Sequence, residues 1–203
     1  MGKNIIIGVT GPTGAGKSTL RLSFQERGCE VIDCDALARE IVEPGQPAVA
    51  EIAAEFGSDV VRFDGTLDRQ LLARRAFASR SRTAALNAIT HPKIAELLAR
   101  KVAYAFRDGK HAVIEAPLLY ESGIDARCDA VLAVIADRAV RINRIKYRDG
   151  LSAHAANMRV NAQHDDDFYT SRTKYVLYNN GDTESFIEEG GRIIDEILGV
   201  YAR

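Results

Sequence analysis

Gly11-Pro12-Thr13-Gly14-Ala15-Gly16-Lys17-Ser18 stands between an apolar run, Ile5-Ile6-Ile7-Gly8-Val9-Thr10, and a helix-forming segment from Ser18 to Arg27. The octet matches G-x-x-x-x-G-K-[ST]. Glycines let the backbone wrap an anion and turn its N–H groups inward. The helix that follows offers its positive N-terminal end to phosphate. Lys17 adds a point charge for the β- and γ-phosphates, and the Ser18 hydroxyl is the expected ligand of Mg²⁺. Gly11, Thr13, Gly14, Ala15, Gly16, Lys17, Ser18 and Thr19 are therefore the candidate cradle, with ATP and Mg²⁺ as the implied cofactors.

Such a loop needs a strand before it and a helix after it, and the rest of the chain supplies more of the same. Gly28 ends the first helix, and Glu30-Val31-Ile32-Asp33-Cys34-Asp35 reads as a second strand ending in acids. Residues 36–106 are mainly helical in pattern, with breaks at Pro44-Gly45-Gln46-Pro47, at Asp64-Gly65 and before His91-Pro92. Ala112–Ala116, Ala130–Ile135 and Tyr175–Tyr178 are further strands. Helices are expected over Asp137–Tyr147, from a Ser152 cap to about Gln163, and over Thr183–Tyr201. The expectation is an α/β fold: a P-loop NTPase-type parallel five-stranded sheet flanked by helices, with a helical substrate-binding insertion and a lid. Residues 1–203 read as a single P-loop domain, with 36–110 as the acceptor-binding insertion and 137–170 as the lid and following helix.

Composition narrows the partners. The formal net charge of the 203-residue chain is −1, with 46% hydrophobic and 27% charged residues. That excludes an overall basic bias toward nucleic acid or anionic lipid. No apolar stretch approaches the ~18 residues of a membrane span. Cys29, Cys34 and Cys128 are scattered and odd in number, which suits a reducing compartment. The expected setting is cytoplasmic, with a small-molecule substrate, no nucleic acid and no membrane. The pattern sets no oligomeric state.

Phosphoryl transfer to an alcohol needs a carboxylate at the attacking hydroxyl. Asp35 is the candidate, with Asp33 assisting; the alternative is that one of them caps the helix starting near Ala36. Glu115, near the end of the third strand, faces either the metal's water shell or solvent. His91 is either a site residue or a structural one. Arg141, Arg144 and Arg148 share helical spacing and form either a lid over the γ-phosphate or a solvated face. Two other readings of the loop stay open, a different small-molecule kinase and a nucleotide-binding switch. No Asn-Lys-x-Asp guanine-reading motif accompanies the latter.

Taken in order, these segments resemble the dephospho-coenzyme A kinases. The residues that carry the likeness are Gly11–Thr19, Val31–Asp35 with Ala38-Arg39, Val42–Gly45, Asp64–Arg69, His91–Ile94 and Pro117-Leu118-Leu119-Tyr120-Glu121. Arg144, Arg148-Asp149, Arg159 with Gln163, and Asn179-x-Gly181 complete it. The resemblance implies transfer of the γ-phosphate of ATP to the ribose 3′-hydroxyl of dephospho-CoA. It implies Asp35 as base and Arg144 as lid arginine beside Lys17, and it adds His91, Pro117, Leu119 and Glu121 to Asp33 and Asp35 at the acceptor. Thr173-Lys174 departs from the family's usual Ala-Asp pair, and the Asp165-Asp166-Asp167 run is unusual.

Overall fold

A computed structural model describes residues 3–202. In chain order they form β1 (Ile6–Thr10), a 3-10 turn (Lys17–Leu20), α1 (Arg21–Glu26), β2 (Cys29–Asp33), α2 (Cys34–Glu40), α3 (Pro47–Phe56), α4 (Arg69–Ala76) and α5 (Arg80–Arg107). There follow β3 (His111–Glu115), β4 (Ala130–Ile135), α6 (Arg138–Asp149), α7 (Ala153–Asn161), α8 (Asp166–Thr170), β5 (Tyr175–Tyr178) and α9 (Thr183–Tyr201). The chain divides into two compact units, one built from residues up to Ile32 and from Tyr104 onward, the other from Asp33–Ala103.

The first unit holds the sheet, in the order β2-β3-β1-β4-β5. β1 lies parallel to β3 and β4, with Gly8 opposite Ile114 and Val131, and β4 lies parallel to β5. Central strands of a parallel sheet are covered on both faces, which is why β1 and β4 are apolar along their length rather than alternating. Ile5, Ile7, Val9, Leu132 and Val134 are buried, and α9 lays Phe186, Ile194 and Ile197 into the same core. A methyl group on Gly190 of α9 would stand 2.5 Å from Leu20 Cδ2, so the bare glycine is what admits Leu20 there. No helix among the described residues is long and apolar enough to cross a membrane.

The second unit packs α3 and α4 around Ile52, Phe56, Val60 and Leu67. Pro47 opens α3 at its first turn, where a missing N–H costs nothing. Asp64-Gly65 turns the chain back so that Val61 bridges Leu67, and Asp68 caps α4 by accepting from the Leu71 N–H.

Four expectations need correction. The segment after the loop begins as a 3-10 turn before becoming α1. The second strand stops at Asp33, and Cys34-Asp35 already belongs to α2, because the Asp33 carboxylate caps that helix. His91-Pro92 starts no helix: Pro92 sits inside the 28-residue α5, at an exposed position where losing one ladder hydrogen bond is tolerated. The acidic run at 165–167, where the sequence pattern predicts no helix, opens α8, with Asp165 accepting from the Phe168 N–H.

Candidate active site

The loop leaves β1 at Thr10 and closes on itself through a hydrogen bond from the Ala15 N–H to the Pro12 carbonyl, 3.2 Å. Gly11 takes φ 133° and Gly16 takes φ 101°, conformations that a side chain would strain. A methyl group on Gly11 would collide with the Val134 carbonyl of β4, and one on Gly16 with the Asn179 amide. These glycines thus serve tight seating against neighbours as well as backbone freedom. Lys17, only 9% exposed, donates from Nζ to the Gly11 carbonyl at 2.8 Å and the Pro12 carbonyl at 3.3 Å. Its charge is held over the loop. Ser18 and Thr19, at the start of the 3-10 turn, are exposed.

Helix α6 brings two arginines against this loop. Arg141, 4% exposed, donates from Nε to the Thr13 carbonyl at 3.3 Å. Its guanidinium also meets Gln163 Oε1 at 3.4 Å and Asp166 Oδ1 at 3.5 Å. Gln163 Oε1 in turn accepts from the Thr13 N–H at 3.0 Å. Burial lowers the pKa of Arg141 and the Asp166 charge works against that; burial likewise raises the carboxyl of Asp166, with Arg141 opposing. For both groups the loss of water outweighs the pairing, as expected at 3.5 Å.

Arg144 donates from Nη1 to the Gly14 and Ala15 carbonyls, each at 3.3 Å, and from Nη2 to Asn179 Oδ1 at 2.9 Å. Arg148, on the expected same face, goes elsewhere. It is exposed and clasps Asp149 through Nε at 2.7 Å and Nη2 at 3.0 Å, and Arg159 joins the same carboxylate. The hydrogen bonds from Arg148, with its charge and that of Arg159, hold Asp149 below the usual carboxylate range.

Glu115 ends β3, in register with Val9, and its carboxylate lies 3.8 Å from the Arg21 guanidinium. The chain then turns at Pro117. Leu119 is fully buried, and its Cδ2 would stand 2.8 Å from a methyl group on Gly8. Its side chain therefore packs in the sheet's core instead of facing a ligand. Glu121 is exposed and meets His164 Nε2 at 3.3 Å. The His164 ring stacks on Phe168 at 3.7 Å, and Arg172 lies 4.1 Å from the same ring. This pile ties the segment after β3 to α8. Tyr120 contacts Phe168 edge-on, and burial pushes its phenol up to about 12.

In the second unit, Asp33 Oδ1 accepts from the N–H groups of Asp35, at 2.9 Å, and Ala36, at 3.2 Å. The capping alternative thus describes Asp33. Asp35 is exposed in the first turn of α2, a place where a negative charge also suits the helix dipole. His91 is exposed on α5. Arg39, Arg62 and Arg69 line a hollow of about 520 Å³ with Thr66 and Gln70.

Among the described residues no three His, Cys, Asp or Glu side chains gather as a metal cage. The donor set at the loop, one exposed hydroxyl from Ser18, fits a hard cation that takes its other ligands from phosphate and water, as Mg²⁺ does. Sequence reasoning passed over two residues as chemistry, Gln163 and Asn179. Both are side-chain amides on the loop, and both lie more than 140 positions from it in the chain, a separation no local pattern spans.

Comparison with known proteins supplies the wider frame. The family model described as dephospho-CoA kinase matches residues 5–185. A Corynebacterium glutamicum protein named dephospho-CoA kinase is 45% identical over 193 residues, spanning 95% of this chain and 96% of the relative. A crystal structure from Thermus thermophilus superposes with a TM-score of 0.81 at 33% identity, over 95% of this chain and 97% of that one. A dephospho-CoA kinase structure from Campylobacter jejuni, at 23% identity and a TM-score of 0.65 over 96% and 97% of the two chains, is similar in fold.

Proposed function

We propose, from the premise that this chain belongs to the dephospho-CoA kinase family and phosphorylates dephospho-CoA with ATP, a division of labour among its own residues. The loop backbone and Lys17 hold the phosphates of ATP. Ser18 holds Mg²⁺, which when bound neutralises charge on the phosphates. Asp35 orients the ribose 3′-hydroxyl and takes its proton as the oxygen–phosphorus bond forms and the bond to the β-phosphate oxygen breaks. Arg144 supplies positive charge to the transferred group.

The observation that carries this reading is the convergence of Lys17 and Arg144 on one turn of backbone. Two cations are held at 2.8–3.3 Å from loop carbonyls, a concentration of positive charge that suits a polyanion. Residues 36–110 are assigned to the acceptor and 137–170 to the lid. The hollow in the second unit is lined by Arg39, Arg62 and Arg69 together with Glu43 and Asp64, and its slight cationic excess is in keeping with an acceptor that carries phosphate. Asp33 acts through its cap, which sets the first turn that carries Asp35. A reducing cytoplasm is the proposed compartment, in keeping with three widely spaced cysteines, odd in number.

The experiment is incubation with Mg-ATP and a panel of dephospho-CoA, adenosine, AMP and pantothenate, read by mass spectrometry for a phosphate gain and its position. Asp35→Asn should lower turnover by about 10²–10⁴-fold with ATP binding retained. Near-normal turnover in that variant removes Asp35 as base, and a gain on another panel member removes the acceptor.

A further inference from the structure

We propose that Asn179 is a positioning residue that sets the phosphate loop and Arg144 in one step, so that a single side chain aligns both the anion cradle and the cation beside it. The inference rests on the reading that the loop and Arg144 serve phosphoryl transfer. Asn179 follows β5 directly and is 5% exposed. Its backbone N–H donates to the carbonyl of Ile135, the last residue of β4, at 2.7 Å, which fixes its place at the sheet's edge. Its side chain then works in two directions. Nδ2 donates to the Ala15 carbonyl at 2.7 Å, and Oδ1 accepts from Arg144 Nη2 at 2.9 Å.

The first bond has a consequence for the cradle. The C=O of Ala15 and the N–H of Gly16 belong to one planar trans peptide and point in opposite directions. Holding the carbonyl against Asn179 fixes the plane of this peptide and with it the direction of the Gly16 N–H. The second bond, with the 3.3 Å contacts from Nη1 to the Gly14 and Ala15 carbonyls, holds the guanidinium flat against the same turn. Only a carboxamide offers a donor and an acceptor at once at this reach. A carboxylate would keep Arg144 but face the Ala15 carbonyl with like partial charge, and an alkyl group would leave both partners unpaired in a buried place. Gly16 completes the arrangement, because any side chain there would occupy the space of the Asn179 amide.

The test is a double-mutant cycle on kcat and KM with ATP and dephospho-CoA, using Asn179→Ala, Arg144→Ala and the pair, with calorimetry of ATP binding to Asn179→Asp. Asn179→Ala is expected to lower kcat/KM by roughly 10²-fold, as displaced catalytic groups do. Because Asn179 acts partly through Arg144, the double variant should be at least about fivefold more active than the product of the two single effects. Asn179→Asp should lose ATP affinity while keeping its coupling to Arg144. Strictly multiplicative losses in the cycle, or unchanged ATP affinity in Asn179→Asp, overturn the proposal. If Asn179→Ala does not fold, the same cycle run on Asn179→Ser, which keeps a polar group but cannot reach both partners, decides it. A wild-type chain that leaves dephospho-CoA untouched defeats the functional reading instead, and the calorimetry still decides the cradle half.

Discussion

Truncating Leu119 to alanine separates a core role from a ligand-facing one. The side chain is fully buried, and its Cδ2 would stand 2.8 Å from a methyl group on Gly8, with Cys128 Sγ at 3.0 Å and Val131 Cγ2 at 3.3 Å from the same point. Gly8 lies on the central strand, pinned between β3 and β4, so the void left by Leu119→Ala has little freedom to collapse. Leucine-to-alanine changes in such places cost ~2.7–5 kcal/mol, and the rigid sheet puts this one near 4. For a chain of this size each kcal/mol lowers Tm by about 2–4 °C, so the expected fall is about 8–16 °C. Thermal unfolding followed by circular dichroism reads the shift, and initial rates near room temperature should give a KM for dephospho-CoA unchanged within about twofold. The crowding also predicts a partner effect. Gly8→Ala alone should cost ~1–3 kcal/mol through overpacking, but with Leu119→Ala the new methyl enters vacated space, and the double variant should be less destabilised than the sum by ~1 kcal/mol. An unchanged Tm for Leu119→Ala together with a tenfold rise in KM would place the side chain at the acceptor and not in the core.

Asp33→Asn should keep both stability and turnover near wild type, since asparagine caps about as well as aspartate, whereas Asp33→Ala should cost ~1 kcal/mol in urea melts; a large turnover loss in Asp33→Asn would show that its charge, not its cap, is what matters. Burial lowers the pKa of His111 below its ordinary value near 6.5, and its Nδ1 accepts from the Ile5 N–H at 3.3 Å. The unfolded chain therefore binds this proton more readily than the folded one, so the contribution is complete above pH ~6.5 and is lost as pH falls from there toward the depressed folded value. A urea midpoint that drops less between pH ~7.5 and ~5.5 in His111→Gln than in wild type checks it, and parallel profiles would contradict it. Burial pushes the Cys29 thiol up to about 11, against the weaker pull of Arg27. Peptide mapping after iodoacetamide at neutral pH should find it unlabelled until the chain is denatured.

The strands were the most readable part of the fold. β4, β5 and α9 match the sequence expectation residue for residue; β4 shows a continuous apolar run because it is covered on both faces, and α9 shows an apolar stripe because it is covered on one. The helical insertion was harder. Thr90, Pro92 and the surrounding polar residues carry break signals, yet packing carries α5 through them, with the Thr90 hydroxyl donating to the Leu86 carbonyl four residues back. Single-residue propensities were outweighed there by the length of helix held on either side.

The glycine loop, the strand and helix that frame it, the cation at Lys17 and the order of parts that marks the family are all legible in the order of residues. Each of these is local, set by backbone freedom, periodicity and charge within a few residues. Tertiary structure alone decided which polar groups stand behind that loop. Arg141 and Arg144 turn inward to its carbonyls while Arg148 pairs with its neighbour, Leu119 withdraws into the core, and Asn179 meets Ala15 across 164 positions of chain. Such contacts depend on where β4 and β5 end and how α6 lies on the loop, and a hydrogen bond's direction and distance exist only once those elements are packed.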